Sequence, residues 1–130
     1  MNVAAAIAIA AGAMSLAVGV VARLFSRAPG WAEYRWFGLS AFGAGAYALG
    51  NVATTLGWSD AAVTVLSRVQ LAAVLVQLWA WLRFVDALTG RRPGGRERLA
   101  LRAIPVAAAA CLVPGVVYDG RVGVHEVALL

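Results

Sequence analysis

The sequence predicts an all-α integral membrane protein, a helical bundle of four transmembrane helices with its N-terminus outside. Three observations carry that expectation. Of 130 residues, 62% are hydrophobic and 13% charged, about half the charged share that covers a soluble domain. Mean hydropathy is +0.81. Four spans of about 20 residues with short connections use nearly the whole chain, leaving room for a single domain.

The first span is residues 2–22, which hold no charge and are long enough to cross a bilayer. A cleaved export signal is the competing reading. It is disfavoured because no Lys or Arg precedes the apolar run. Residues 23–35 form a polar connection around the turn signal Pro29-Gly30, and the second span follows at 36–57. Ser59-Asp60 makes a short connection and supplies an N-cap for the third span, 61–85. After the basic loop Arg91-Arg92-Pro93-Gly94-Gly95-Arg96-Glu97-Arg98, the fourth span covers 99–118, with Pro105 and Pro114 inside or near its ends. Asp119-Gly120 closes it, and residues 121–130 form an apolar-ended tail. That tail, just outside the membrane, suggests a piece of a longer protein.

The basic charge is all arginine, eleven against six acids, for a net charge of +5. Arg23, Arg27, Arg35, Arg91, Arg92, Arg96 and Arg98 lie in the first and third connections, with Arg102 one turn into the fourth span. The other side holds Asp60, Asp119, Arg121, His125 and Glu126. This asymmetry reads as topology rather than nucleic-acid binding and puts the first and third connections in the cytoplasm. The expected location is the bacterial cytoplasmic (inner) membrane, as a multi-pass protein. Trp31, Trp36, Trp79 and Trp81 mark the cytoplasmic interface and Trp58 the other. The basic loop suits anionic headgroups, although topology alone accounts for it.

Sequence polarity also assigns faces, because polar groups avoid hydrocarbon. On the second span Phe42, Leu49 and Leu56, with Leu39, form a stripe expected to face lipid. The opposite arc carries Ser40, Ala44, Tyr47, Asn51, Thr54 and Thr55, with Gly43 and Gly50 nearby to allow close helix approach. On the third span Leu71, Val74, Leu78, Leu82 and Val85 are assigned to lipid. Arg68, Gln70 and Gln77 fall outside that arc, and Arg68 and Gln70 are about 200° apart. This helix is therefore expected at the centre. Gly12 and Gly19, seven apart on the first span, predict close packing.

Asn51, Thr54, Thr55 and Arg68 are expected to meet in the outer half of the bundle. With Gln70 they are the candidate ligand-binding residues. Arg68 is read either as snorkelling outward or bonding to Asn51 and backbone carbonyls as structural glue, or as an anchor for an anionic or polar ligand. Arg83 reads as a snorkelling residue with Asp86 one turn away for partial pairing. No CxxC, HExxH or paired-His spacing offers a metal site, and no cofactor is implied. Cys111, the one cysteine, cannot form an intrachain disulfide. With no nucleophile–base pair, carboxylate dyad or phosphate loop, no enzyme activity is expected. No acid sits mid-membrane, which weighs against a small proton-coupled exporter.

The stretch Leu66-Ser67-Arg68-Val69-Gln70, followed by Trp79-Ala80-Trp81-Leu82-Arg83-Phe84-Val85-Asp86-Ala87-Leu88-Thr89-Gly90-Arg91-Arg92, resembles the N-terminal seven-helix (7TM) sensor region of bacterial histidine kinases. Arg35-Trp36-Phe37, Tyr47-x-x-Gly50-Asn51 and Ile104-Pro105 are similar to that family's entry, mid-helix and fourth-helix patterns. The likeness covers the first four helices of seven. It implies a sensory input module for a small ligand or membrane state, relaying to a cytoplasmic kinase or other output domain absent from this chain. The outside N-terminus agrees with it, since three more spans return the chain to the cytoplasm.

The alternatives are a small four-helix transporter or channel subunit acting as an oligomer, or a membrane scaffold. The expected partners are membrane lipids, the output domain of the parent chain and a second copy in a homodimer, with no nucleic acid. Without partner helices the polar flanks of the third span face lipid, which predicts dimerisation or a fragile fold.

Overall fold

A computed structural model describes residues 2–113, which form four α-helices and no strand. They are α1 (Val3–Phe25), α2 (Tyr34–Thr55), α3 (Asp60–Thr89) and α4 (Gly95–Cys111). The end of the expected fourth span, with Pro114, and the tail carrying Asp119, Arg121, His125 and Glu126 lie outside the described residues.

Local chemistry sets the ends of the helices. Asn2 caps α1, its side-chain oxygen accepting from the Ala5 amide at 2.7 Å, and its amide nitrogen donates to the Thr55 carbonyl at 2.9 Å. One residue thus caps one helix and takes up an end carbonyl of the next. Ser59 caps α3 through the Ala62 amide. α3 runs four residues past its expected end and stops at Gly90, whose φ of 64° suits the left-handed cap. α4 begins four residues earlier than expected and absorbs the second half of the basic loop. Glu97 lies in its first turn, where a carboxylate favours the helix dipole, and pairs with Arg91 across the connection. Pro105 sits inside α4, which membrane helices tolerate.

α1 and α3 are long and apolar enough to cross a membrane, with mean hydropathies of 2.2 and 1.7 over their best windows. Only 17% and 6% of those windows is buried, unlike the core helix of a soluble protein. α2 and α4 do not combine that length and apolarity: α2 is rich in Gly, Ser, Thr and Asn, and α4 opens with Arg96, Glu97, Arg98 and Arg102. The five aliphatic residues that the sequence assigns to lipid on α3 are all exposed.

Each described helix packs only on its neighbours in the chain, α1 on α2, α2 on α3 and α3 on α4. Among the described residues the result is an open row of helices. The core between helices is mostly small: Ala5, Ala22, Ala53, Ala72, Ala73, Ala80 and Ala108 are buried, joined by Phe84, Leu101 and Cys111, and no large side chain is fully buried. Small residues let backbones approach closely where no water drives helices together.

Glycines at seven-residue spacing make the two seams of α2. Gly12 and Gly19 of α1 lie opposite Gly45 and Gly38: a Cβ on Gly38 would come within 3.0 Å of the Gly19 carbonyl oxygen. Leu49 and Phe42 of α2 fill the notches at Gly12 and Gly19. This corrects in part the expectation that the stripe faces lipid: Phe42 and Leu49 meet α1, while Leu49 and Leu56 remain 36% and 44% exposed. The stripe's period of seven marks a helix–helix seam, which hydropathy alone does not distinguish from a lipid face. On the other side of α2, Gly43 packs on the Ala73 carbonyl and Gln77, and Gly50 on Gln70.

Aromatic rings tie one end of the row together. Phe25, Trp31 and Tyr34 stack in sequence, and Tyr34, Phe37 and Trp81 all meet Phe84, with centroids 5.4–5.8 Å from its ring. Phe84 is 8% exposed.

Two outcomes follow for thermal unfolding in detergent. Gly38→Ala should cost about 1–3 kcal/mol because the backbones must separate, while Gly95→Ala, with open space around it, stays near wild type. Phe84→Ala should cost about 3 kcal/mol, far more than Phe25→Ala at a 55% exposed ring. Equal losses within either pair would contradict this account of the packing.

Candidate functional site

α2 is the helix on which the polar groups and the grooves converge. Phe37, Ala41, Ala44, Ala48, Asn51 and Thr55 follow one another at steps of four and three residues, which makes one straight stripe along a helix. Two grooves lie end to end along that stripe. One, of about 630 Å³, runs between α2 and α3 and includes Ser40, Gln77, Leu78 and Trp81. The other, of about 520 Å³, runs between α1 and α2 and joins Asn51, Thr54 and Thr55 to Ala4, Ile7, Ala8 and Ala11. The small residues of α2 recess its surface between two taller walls.

The polar contact between α2 and α3 sits at the Asn51–Thr55 end of this stripe. Gly50 has no side chain, and Gln70 occupies the space: a Cβ at Gly50 would collide with its Cγ, Cδ and Nε2. From there the Gln70 Nε2 donates to the Tyr47 carbonyl at 2.9 Å and to the Asn51 Oδ1 at 2.8 Å. Both amide hydrogens are used, one on backbone and one on side chain. Gln77, seven residues on, meets Gly43 through its Cα and Cβ.

The expected cluster assembles in part. Asn51 and Gln70 are bonded to each other. Asn51, Thr54 and Thr55 share the groove against α1, where the Thr55 hydroxyl donates to the Val52 carbonyl of its own helix at 3.0 Å. Arg68 occupies a different face of α3 by helical spacing. It is half-buried, has an interaction partner of its own, and falls at helical spacing on the α3 flank of Ala72 and Leu75, which packs with Ala108 and Cys111 of α4. Gln70, not Arg68, therefore faces Asn51. The angle of about 200° between them, legible in the sequence, leaves room for only one of them on the α2 side.

Arg83 departs from expectation too. It stacks over Trp36 and Trp79, and the ion pair among the described residues is Arg91–Glu97, not Arg83–Asp86. Trp36 and Trp79 pack edge to face at 5.2 Å. The tryptophan count pointed to this end of the row, but nothing in the sequence showed that the arginines would use the rings as partners. No group of three or more His, Cys, Asp or Glu able to hold a metal occurs among the described residues.

Comparison with protein families, characterised proteins and solved structures finds no match for the chain.

The Gln70–Asn51 bond is measurable by a double-mutant cycle with Gln70→Leu and Asn51→Leu. The expected coupling is about 0.6–1.7 kcal/mol, the range for hydrogen bonds between membrane helices. Strictly additive losses would mean that the bond contributes nothing.

Proposed function

We propose that the chain is the membrane-embedded sensory input module of a bacterial signal-transduction protein of the histidine kinase type. In this reading all four helices span the cytoplasmic membrane, with the N-terminus outside. A small ligand or a change in membrane state acts on the α2 groove, and the output domain lies in the parent chain. The observation that carries it is the Gln70 contact in the Gly50 notch. It is a polar bond between helices at the edge of an open groove, and it is broken or kept by whatever occupies that groove.

Geometry supports the relay. α3 is a continuous helix of 30 residues, about 45 Å long, that leads from this contact to the arginine-rich end. A shift of α3 against α2 at the groove is therefore carried to the Thr89-Gly90-Arg91 exit. The resemblance of the α3 sequence to the seven-helix sensor regions supports the same reading. A ligand acts by binding one packing of α2 on α3 more tightly than the other, since only differential affinity moves such an equilibrium.

Two measurements test this. With Cys111→Ala as background, a cysteine at Ser59 should label from outside intact cells, while cysteines at Ser26 and Thr89 label only after permeabilisation. If α1 and α3 alone spanned, Ser26 and Ser59 would label from the same side. Sequencing of the gene beyond the codon for Leu130 should reveal three more apolar spans and a kinase-like region. A stop codon there sinks the sensor reading and favours the oligomeric carrier or the scaffold.

A further inference from the structure

We propose that Arg35 and Arg83, stacked on the Trp36–Trp79 pair, form a binding site for the phosphate of an anionic phospholipid. The site rests on the membrane placement of α2 and α3 and is independent of the signalling role; cysteine labelling reports that placement separately.

Arg35 is the second residue of α2, and Arg83 lies six residues before the end of α3. The two helices run antiparallel, so both arginines reach the same level. Their guanidinium carbons lie 4.9 and 5.6 Å from the centroid of one ring, that of Trp36, and Arg83 is also 5.7 Å from Trp79. Two cations thus share one indole. The carboxylates nearest in sequence, Glu33 and Asp86, form no ion pair with them among the described residues. Both guanidiniums thus lie against one aromatic ring, and an anion bound by both lowers their mutual repulsion.

The chemistry selects a phosphate. A guanidinium lying on a ring keeps its edge of N–H donors open, and that fork matches two phosphate oxygens. Both arginines are exposed. The position selects a lipid over free phosphate, since tryptophan belts lie at headgroup level.

The test uses the full chain in detergent micelles. Quenching of its tryptophans by brominated phosphatidylglycerol is compared with quenching by brominated phosphatidylcholine. Phosphatidylglycerol should saturate at a lower mole fraction. R35Q/R83Q should lose that preference by at least about 10-fold, while the charge-matched R92Q/R96Q keeps most of it. Equal losses in the two variants would mean diffuse attraction and overturn the site, as would equal quenching by the two lipids. Displacement of phosphatidylglycerol by millimolar inorganic phosphate would overturn the lipid assignment. If R35Q/R83Q does not fold, R35K/R83K decides: it keeps the charge but not the fork, so the preference should fall several-fold, and an unchanged preference refutes the proposal.

Discussion

The structure depends on how closely α2 approaches its two neighbours. In hydrocarbon, apolar side chains gain little by leaving lipid for one another, so helices hold together by close packing and a few interhelical hydrogen bonds. α2 achieves this with glycines on two faces: Gly38 and Gly45 meet the backbone of α1, and Gly43 and Gly50 take Gln77 and Gln70 of α3. The seams lie about 140° apart, as the five-residue offset between Gly38 and Gly43 requires. Two neighbours set nearly opposite each other give a row. The open grooves are its consequence, since a helix of small residues between taller helices leaves a trough along its uncovered side.

The same composition explains why α2 is less apolar than α1 or α3. Glycine, serine and asparagine lower its hydropathy, yet they are the residues that allow backbone contact and supply an acceptor for Gln70. Polar groups are used sparingly and are paired where they occur. Gln70 spends both amide hydrogens on α2, and Thr55 bonds within its own helix. At the opposite end of the row, aromatic rings and stacked arginines take over as the adhesive.

Much of this was legible in the sequence. The four helices, the Ser59 cap, the exposed aliphatic arc of α3, the gathering of tryptophans and the glycine spacings follow from length, periodicity and residue type. The helix ends did not follow: α3 continues to Gly90, and α4 begins before its apolar run, because cap geometry rather than hydropathy stops a helix. Phe42 and Leu49 misled because a seven-residue apolar stripe has the same pattern whether it meets lipid or a notched helix.

Sequence by itself determined the helical class, the four helical segments, and the positions where a backbone can come close. Those properties are local, set by side-chain size, polarity and a period of 3.6. Tertiary structure decided which close approaches are used and by whom. It gave Asn51 to Gln70 rather than Arg68, set Arg83 on two indoles rather than beside Asp86, and opened the row that leaves the α2 groove uncovered. Such choices belong to the rotation of each helix about its axis, which is fixed only when the notches of one helix meet the side chains of the next.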